Sequence, residues 1–575
     1  MKRDALTLLS IMAGVTLFVA HKIGNAFVYD DTFVVNGPLI HDPSRIPSVF
    51  ANHAMLAQGQ AGTMPMDTYR PISILSFFWD AWLSGYSTWS YHLSNHLFHL
   101  ICVALVFALA KHVLPDASRS VHAFAALFFG LSPQLAEAHV WINGRSDPLT
   151  TLFGLSAILL WSHANQKPSV VRDVGAAALL FCGLLCKEVL LFALPSLALW
   201  PTLRASSLRA RALRLAPFAV SGVAYLGVRT TVLDGLKASH GKDQLLLALS
   251  NVPVLWLDGL RELISPSRLY MRSMRHEYAL LSGTQRAWIA AAVLLVFGLV
   301  FLSRKKLPLT LWGLTWFALC LAPASMITGM MWPGFGRYLY LPCVGVAIAS
   351  AELLSQARIY LARREDEHPS RAMGWIRGSG ALILSVYLLS LGVRLASVTF
   401  DYRSDEALFG GAAKLAPQPA YAHAWLGASF RTAGHPLRGI EELEKAVAAD
   451  RAEPKYLHDL VVSYLDTKQP AKAATAARYG IARAPRGAAG DLHALLIRSL
   501  ALTDPPAAWT ATCNCLRDVP QYLPCRAAVL WLLSPKQPRA AELTKATGAL
   551  DKLCASPSSR EFIRSRQAAT NPTPP

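Results

Sequence analysis

Between residues 5 and 398 the chain is divided into apolar blocks of roughly 16–22 residues, the length of helix that crosses a bilayer core. No other feature restricts the fold as much. Lipid offers the backbone no hydrogen-bond partners, so each such block must satisfy its peptide groups internally, as a helix. The blocks fall at 5–20, 94–113, 121–137, 148–164, 173–190, 191–203, 213–230, 286–303, 307–325, 338–356 and 379–398. They predict an all-α, polytopic membrane domain of about 11 spans over residues 1–400. Only 16% of residues are charged, where a soluble chain carries about a quarter.

The net charge of +19 suggests nucleic acid as a partner until its distribution is considered. Basic residues concentrate in the short loops 204–214, 304–306 and 358–377 between apolar blocks. That is where the positive-inside bias places them, which excludes nucleic-acid binding as their reason. Met1-Lys2-Arg3-Asp4 opens the chain, and no small-x-small site ends the first block. This reads as an uncleaved span with a cytoplasmic N-terminus. Segment 245–264 is apolar but holds Asn251, Pro253, Asp258, Arg261 and Glu262, which suits an interfacial or re-entrant piece. With that assignment all three basic loops are cytoplasmic. Loops 21–93, 138–147, 186–190, 231–285 and 326–337, with everything after 398, share the opposite face. The expected setting is a bacterial inner membrane, with that face in the periplasm.

After residue 400 the composition turns to alanine-rich helix formers. Leu426 and Leu460, Phe430 and Tyr464, Phe409 and Leu443, and Ala412 and Ala446 recur at a period of about 34, as in tetratricopeptide repeats. Residues 401–490 are therefore expected to form an α-solenoid of paired helices, with 491–575 a degenerate continuation. That tail holds Cys513, Cys515, Cys525 and Cys554. Two disulfides in an oxidising compartment, or a zinc site, are the alternatives, and connectivity is not readable.

The polar residues of the external loops carry the chemistry. Tyr29-Asp30-Asp31 places two carboxylates directly after a span, a costly position that calls for a cation, a metal or catalysis. His92, Asn95, His96 and His99 share one helix face, suited to packing and hydrogen bonds, with metal ligation the alternative. Glu137, His139, Arg145 and Asp147 lie in the second external loop, and Lys187 with Glu188 and Arg337 follow on the same face. Arg70, Arg145, Lys187 and Arg337 beside carboxylates suggest that the face handles an anion such as a phosphate.

The ordered set Tyr29-Asp30-Asp31, Tyr69-Arg70-Pro71, His92-x-x-Asn95-x-x-x-His99, Gly144-Arg145-Ser146-Asp147, Lys187-Glu188 and Arg337-Tyr338-Leu339-Tyr340-Leu341-Pro342, followed by the repeats, resembles the transmembrane and tetratricopeptide-repeat O-mannosyltransferases of the GT-C superfamily. The resemblance covers most of residues 1–490. It departs at Gly336, where that family commonly has an acid, and in the small number of clear repeats.

The resemblance implies an inverting transferase that moves a hexose, mannose in that family, from a polyprenyl-phosphate carrier to protein hydroxyls. Asp31 or Asp30 would be the base, and Arg145, Arg337, Lys187 and Arg70 the donor-phosphate site. Glu137, His139, Asp147, Glu188 and His92 are secondary candidates. The repeats would hold a protein acceptor. Some members use a divalent metal and others do not, and no further cofactor is implied. The competing readings are a GT-C transferase acting on a surface glycan or lipid, a transporter of lipid-linked sugars, and a non-catalytic membrane scaffold that presents the repeats.

Overall fold

The computed structural model describes residues 2–35, 37–52, 68–166, 169–203, 207–233, 242–266, 281–329, 336–367, 371–415, 420–450, 453–483, 490–518 and 523–570. Residues 234–241 and 267–280 of the expected external loop 231–285 lie outside these residues. Among those described there are helices and 3-10 turns and no strand. The chain forms two compact units, Met1–Ala407 and Leu408–Pro575.

Among the described residues of the first unit, seven helical segments are long and apolar enough to cross a membrane, where about eleven spans are expected. They are Lys2–Gly24, Thr88–Val113, Leu208–Val232, Gly283–Leu302, Pro308–Ser325, Gly336–Glu367 and Trp375–Asp401. The differences have local causes. The 121–137 block is helical only over Arg119–Leu131, because Ser132-Pro133 starts a 3-10 turn. Proline at that point removes a backbone donor and disfavours helix in the residue before it. The 191–203 block is likewise broken: Leu190–Ala193 is helical, and Pro195 and Pro201 lie in the 3-10 turns Leu194–Leu199 and Pro201–Leu203. The 173–190 block becomes the 15-residue helix Val170–Leu184. Parts of these blocks are covered by protein: Leu131, Leu184, Leu190, Leu197, Trp200 and Leu203 are buried, whereas Val170, Val171 and Val174 are exposed.

The seven segments differ in surroundings. Gly336–Glu367 is 78% buried and Pro308–Ser325 67%, whereas Gly283–Leu302 is 6% buried and presents Leu294, Leu295, Leu299 and Leu302 outward. The first two form the interior of the unit, and the last faces lipid. The interior pair packs at backbone distance. A Cβ on Gly313 would lie 2.2 Å from the Gly345 carbonyl oxygen, and one on Gly345 equally close to that of Gly313. Small residues permit this approach in membrane bundles, where dispersion replaces the hydrophobic effect as the packing force. Glu352 closes the end of the pair by accepting from the N–H groups of Leu309 (3.1 Å) and Thr310 (2.6 Å), where a helix N-terminus favours negative charge.

Segment 245–264 lies in the helix Lys242–Ile264, which buries Asn251 and Glu262. Glu262 accepts from Gln134 Nε2 at 2.6 Å, and Trp256 Nε1 donates to the Ala318 carbonyl at 2.9 Å. Its polar residues are thus used against other parts of the protein. The helix Pro71–Ser84 precedes the Thr88–Val113 span and leaves Trp79 and Trp82 exposed, as are Tyr86 and Trp89 beyond it. Aromatic side chains of this kind concentrate at the bilayer interface.

The second unit is a solenoid of helix pairs. Ala420–Thr432 with Pro436–Ala449 forms one pair, and Pro454–Asp466 with Pro470–Ile481 the next. A third pair is Gly490–Thr503 with Pro505–Asp518. Equivalent turns end the first helix of the first two pairs. Gly434 and Lys468 both have positive φ, and His435 N and Gln469 N donate to the Phe430 and Tyr464 carbonyls, each at 2.8 Å. This left-handed helix ending normally selects glycine, so Lys468 occupies its position under strain. All four cysteines of the unit are paired, Cys513 with Cys554 and Cys515 with Cys525, which removes the zinc alternative. Peptide mapping of the non-reduced protein should recover these two linkages. Replacing Cys513 and Cys554 together by Ser should lower the stability of this unit by about 2–4 kcal/mol in a thermal-unfolding measurement.

Candidate active site

The acidic loop is built immediately after the first span. That span ends in a 3-10 turn, Ala20–Gly24, and the chain reverses at Tyr29, a non-glycine residue with φ of 58°. Asp31 then begins the short helix Asp31–Val35. A small apolar core holds the loop from below: Val34, Val35, Leu39, Ile40, Ile74, Phe77, Phe78, Tyr91 and Ile142 pack together, with Phe27 against them.

The two aspartates have different surroundings. Asp31 is fully buried and both of its oxygens are engaged. Oδ2 accepts from Val28 N at 3.2 Å, and Oδ1 accepts from Asn143 N at 2.9 Å. Asp30 is only partly buried. Burial pushes its carboxyl up to about 6, against the opposing pull of Asn143, Arg337 and Trp141. Burial, and then the like charge of Asp30, push the Asp31 carboxyl well above the usual carboxylate range. Asp31 therefore ties the acidic loop to the second loop, while Asp30 is the less buried residue of the pair.

The second loop is a tight structure. Ala136–His139 is a single helical turn, and Ile142–Arg145 a 3-10 turn folded back on it. A Cβ on Gly144 would lie 2.5 Å from the Glu137 carbonyl oxygen, so only glycine allows the return. Asn95 Nδ2 donates to the Trp141 and Ile142 carbonyls at 3.1 and 3.2 Å.

The cations expected to bind phosphate do not form one group. Arg145 is fully buried. It pairs with Asp80 at 2.5 Å, donates to Ser76 Oγ and the Tyr91 carbonyl, and lies 4.0 Å over the Phe77 ring. Its charge is matched inside the protein, so it does not reach the external face. The other three remain together. Arg337 donates its backbone N–H to Glu137 Oε2 at 3.2 Å, donates Nη2 to the Tyr338 hydroxyl, and lies 4.9 Å over Trp141. Lys187 pairs with Asp147 at 2.6 Å and lies 5.1 Å from the Tyr338 ring centroid. Arg70 pairs with Glu188 at 2.9 Å, with about a quarter of its side chain exposed.

These groups share one electrostatic neighbourhood. Burial works against the Lys187 charge, Asp147 supports it, and Arg70 and Arg337 oppose it. Burial pushes Glu188 up, but Arg70 overcomes this and holds it at about 2. Asp30, Glu137, Asp147, Glu188, Arg337, Lys187 and Arg70 thus form one band of alternating charge. Gly336 fits against this band: a Cβ there would lie 2.2 Å from the Gln134 carbonyl oxygen and 3.4 Å from Glu137 Oε2.

The histidines lie apart from the band. His92 is buried with Nε2 against the Asn25 carbonyl, His96 meets Thr16, and His99 bridges Tyr340 and the Gly130 carbonyl. The His139 ring stacks on His99 at 3.9 Å and receives buried Lys22 on Nδ1 at 3.1 Å. Burial pushes His139 well below its usual range, favouring the neutral ring. Among the described residues no three His, Cys, Asp or Glu side chains converge to hold a metal ion.

Sequence reasoning missed several residues that complete the site. Asp80, Trp141, Asn143 and Tyr338 hold the charged side chains described above. Tyr402 is buried where the charges of Glu137, Arg337 and Asp31 reach it. The one available signal was the lone acid Asp80 in an aromatic stretch.

No family model matches the chain. Curated relatives do. The chain is similar to protein O-mannosyl-transferases. Over 159 residues it is 29% identical to Protein O-mannosyl-transferase TMTC1 of Mus musculus, covering 27% of this chain and 17% of the relative. Over 126 residues it is 32% identical to Protein O-mannosyl-transferase TMTC2 of Homo sapiens, covering 21% and 15%. The longest of the three alignments, 432 residues at 22% identity with Protein O-mannosyl-transferase F38B6.6 of Caenorhabditis elegans, covers 70% of this chain and 57% of the relative. The chain thus matches less than two thirds of each relative.

The buried Asp80–Arg145 pair gives a direct test of this geometry. Arg145→Met leaves an unmatched buried carboxylate and should destabilise the first unit by about 3–5 kcal/mol. The double variant Asp80→Leu/Arg145→Met should recover most of that loss in thermal unfolding of the detergent-solubilised protein. Equal melting of single and double variants would show that the two charges are not coupled.

Proposed function

We propose that the protein is a membrane glycosyltransferase that moves a hexose, mannose, from a polyprenyl-phosphate carrier to hydroxyl groups of proteins. The observation that carries the reading is the partly exposed Asp30 carboxylate held beside Arg337, at one end of the band that continues through Lys187 to Arg70. The similarity to proteins named O-mannosyl-transferases supports it.

In this mechanism the acceptor hydroxyl oxygen attacks the anomeric carbon while Asp30 takes its proton. The bond from that carbon to the phosphate oxygen breaks on the opposite side, so the configuration inverts. The leaving phosphate takes the electron pair, and its charge falls on Arg337 and Lys187, with Arg70 at the outer end of the band. Asp147, Glu137 and Glu188 keep the three cations fixed before the donor arrives. Asp31 holds the loop, and Arg145 with Asp80 holds the turn that carries Asn143. The expected phosphate role of Arg145 therefore passes to the other three cations, and the choice of base falls on Asp30.

The site would face the periplasm of a bacterial inner membrane, together with the repeats, which would hold the protein acceptor. Two linked disulfides in the second unit agree with an oxidising compartment.

The test is transfer of radiolabelled mannose from synthetic polyprenyl-phosphate mannose to a Ser/Thr-rich peptide by the purified full chain. Asp30→Asn should lower kcat by about 10²–10⁴-fold, the usual contribution of a general base. Asp31→Asn should cost less, through misplacement of the loop. Full transfer by stably inserted Asp30→Asn would sink the assignment. A base works deprotonated, so kcat/KM should fall tenfold per pH unit below about 6 and level off above it. Lys187→Ala and Arg337→Ala should raise the donor KM about tenfold or more, as loss of a charged contact does.

A further inference from the structure

The end of the last membrane helix and the residues just after it are stitched to segment 21–29, which leads from the first span into the acidic loop, at four points. The Phe400 ring stacks on His21 with centroids 4.2 Å apart. The Thr399 carbonyl accepts from Asn25 Nδ2 at 3.2 Å, and the Arg403 carbonyl accepts from Ala26 N at 3.1 Å. The fourth contact differs in kind: Asp405 Oδ1 accepts from Tyr29 N at 2.7 Å. It is the one made by a carboxylate, and it falls on the residue with a positive φ of 58°.

That combination has a mechanical meaning. A residue with a Cβ disfavours the left-handed region, so Tyr29 relaxes to negative φ unless its surroundings hold it. Changing the sign of φ at residue 29 redirects the chain at residues 30 and 31. The Asp31 N–H donates to the Val28 carbonyl at 3.1 Å and closes the turn around Tyr29, and the ring of Trp141, 5.5 Å away and tilted, packs on its side chain. The charge-assisted bond from Asp405 fixes the peptide itself. We infer that Asp405 is a positioning residue for the Asp30–Asp31 loop, holding Tyr29 in the left-handed conformation that aims both carboxylates. Asp405 begins the helix Asp405–Leu415 and lies in the last residues of the first unit, the same unit as Tyr29. As a statement about catalysis this rests on Asp30 as the base; as a statement about the loop it does not.

The experiment uses the full chain in lipid nanodiscs. Asp405→Leu removes the acceptor at similar size, and Asp405→Asn keeps an acceptor oxygen. Hydrogen–deuterium exchange of the peptide covering residues 26–35 reads the loop directly. It should rise at least tenfold in Asp405→Leu and stay near wild type in Asp405→Asn. In the mannose-transfer assay Asp405→Leu should lower kcat about 10–100-fold, the range expected when a reacting group is displaced by about an ångström. The donor KM should stay within about twofold, because Arg337, Lys187 and Arg70 are untouched. Adding Tyr29→Asn, which tolerates positive φ, should restore part of that kcat. Where Asp405→Leu does not accumulate in the membrane, Asp405→Ser, too short to reach Tyr29 N, takes its place with the same expectations. Unchanged exchange and kcat in the acceptor-free variants would overturn the inference. Asp30→Asn measured alongside separates the two claims. If it retains transfer while Asp405→Leu raises exchange, the positioning stands and the assignment of the base fails.

Discussion

Charge matching across distant segments organises the loops that carry the acid pair of the first unit. A charge taken from water into a protein interior costs several kcal/mol unless it is paired. Here four pairs answer that cost: Asp80 with Arg145, Asp147 with Lys187, Glu188 with Arg70, and Glu137 with Arg337. Each joins segments far apart in the chain, so each also closes a loop. The innermost pair is completely enclosed and acts as a fastening. The outer three are graded in exposure up to Arg70, and their partners keep their cations in place. One kind of interaction thus fixes the loops and equips the surface they form.

How much of this is legible in the chain depends on whether the signal is periodic or pairwise. The long spans and the helix repeats are periodic, and they appear where the pattern places them. Leu426 and Leu460 occupy equivalent buried positions, as do Phe430 and Tyr464. Helix ends depart from the apolar blocks where residues such as Leu131, Leu197 and Trp200 are covered by protein, because hydropathy does not distinguish protein from lipid. Proline at 133, 195 and 201 was the available correction. Ion pairs leave no periodic trace. Arg145 and Arg337 look alike in a loop sequence, and only the position of Asp80, on a different helix, makes one internal and the other part of the surface.

The acid pair shows the same limit at the scale of one bond. Two adjacent aspartates are equivalent in sequence, and composition cannot rank them. They differ because backbone N–H groups of Val28 and Asn143 point at one and not at the other. Asp31 is therefore committed before any substrate arrives, and Asp30 is left partly open. The conformation that separates their roles depends on Tyr29, whose backbone is held from residue 405, at the far end of the membrane domain.

The disulfides of the second unit carry a consequence for biogenesis. Cys515 and Cys525 are separated by 10 residues, Cys513 and Cys554 by 41. In a chain synthesised N-terminus first, Cys513, Cys515 and Cys525 are present together before Cys554. Of the three pairings open to those thiols, only Cys515–Cys525 is native. Maturation of this unit is then a matter of timing: either the short loop closes first, or a disulfide isomerase must undo an early mistake once the last cysteine arrives.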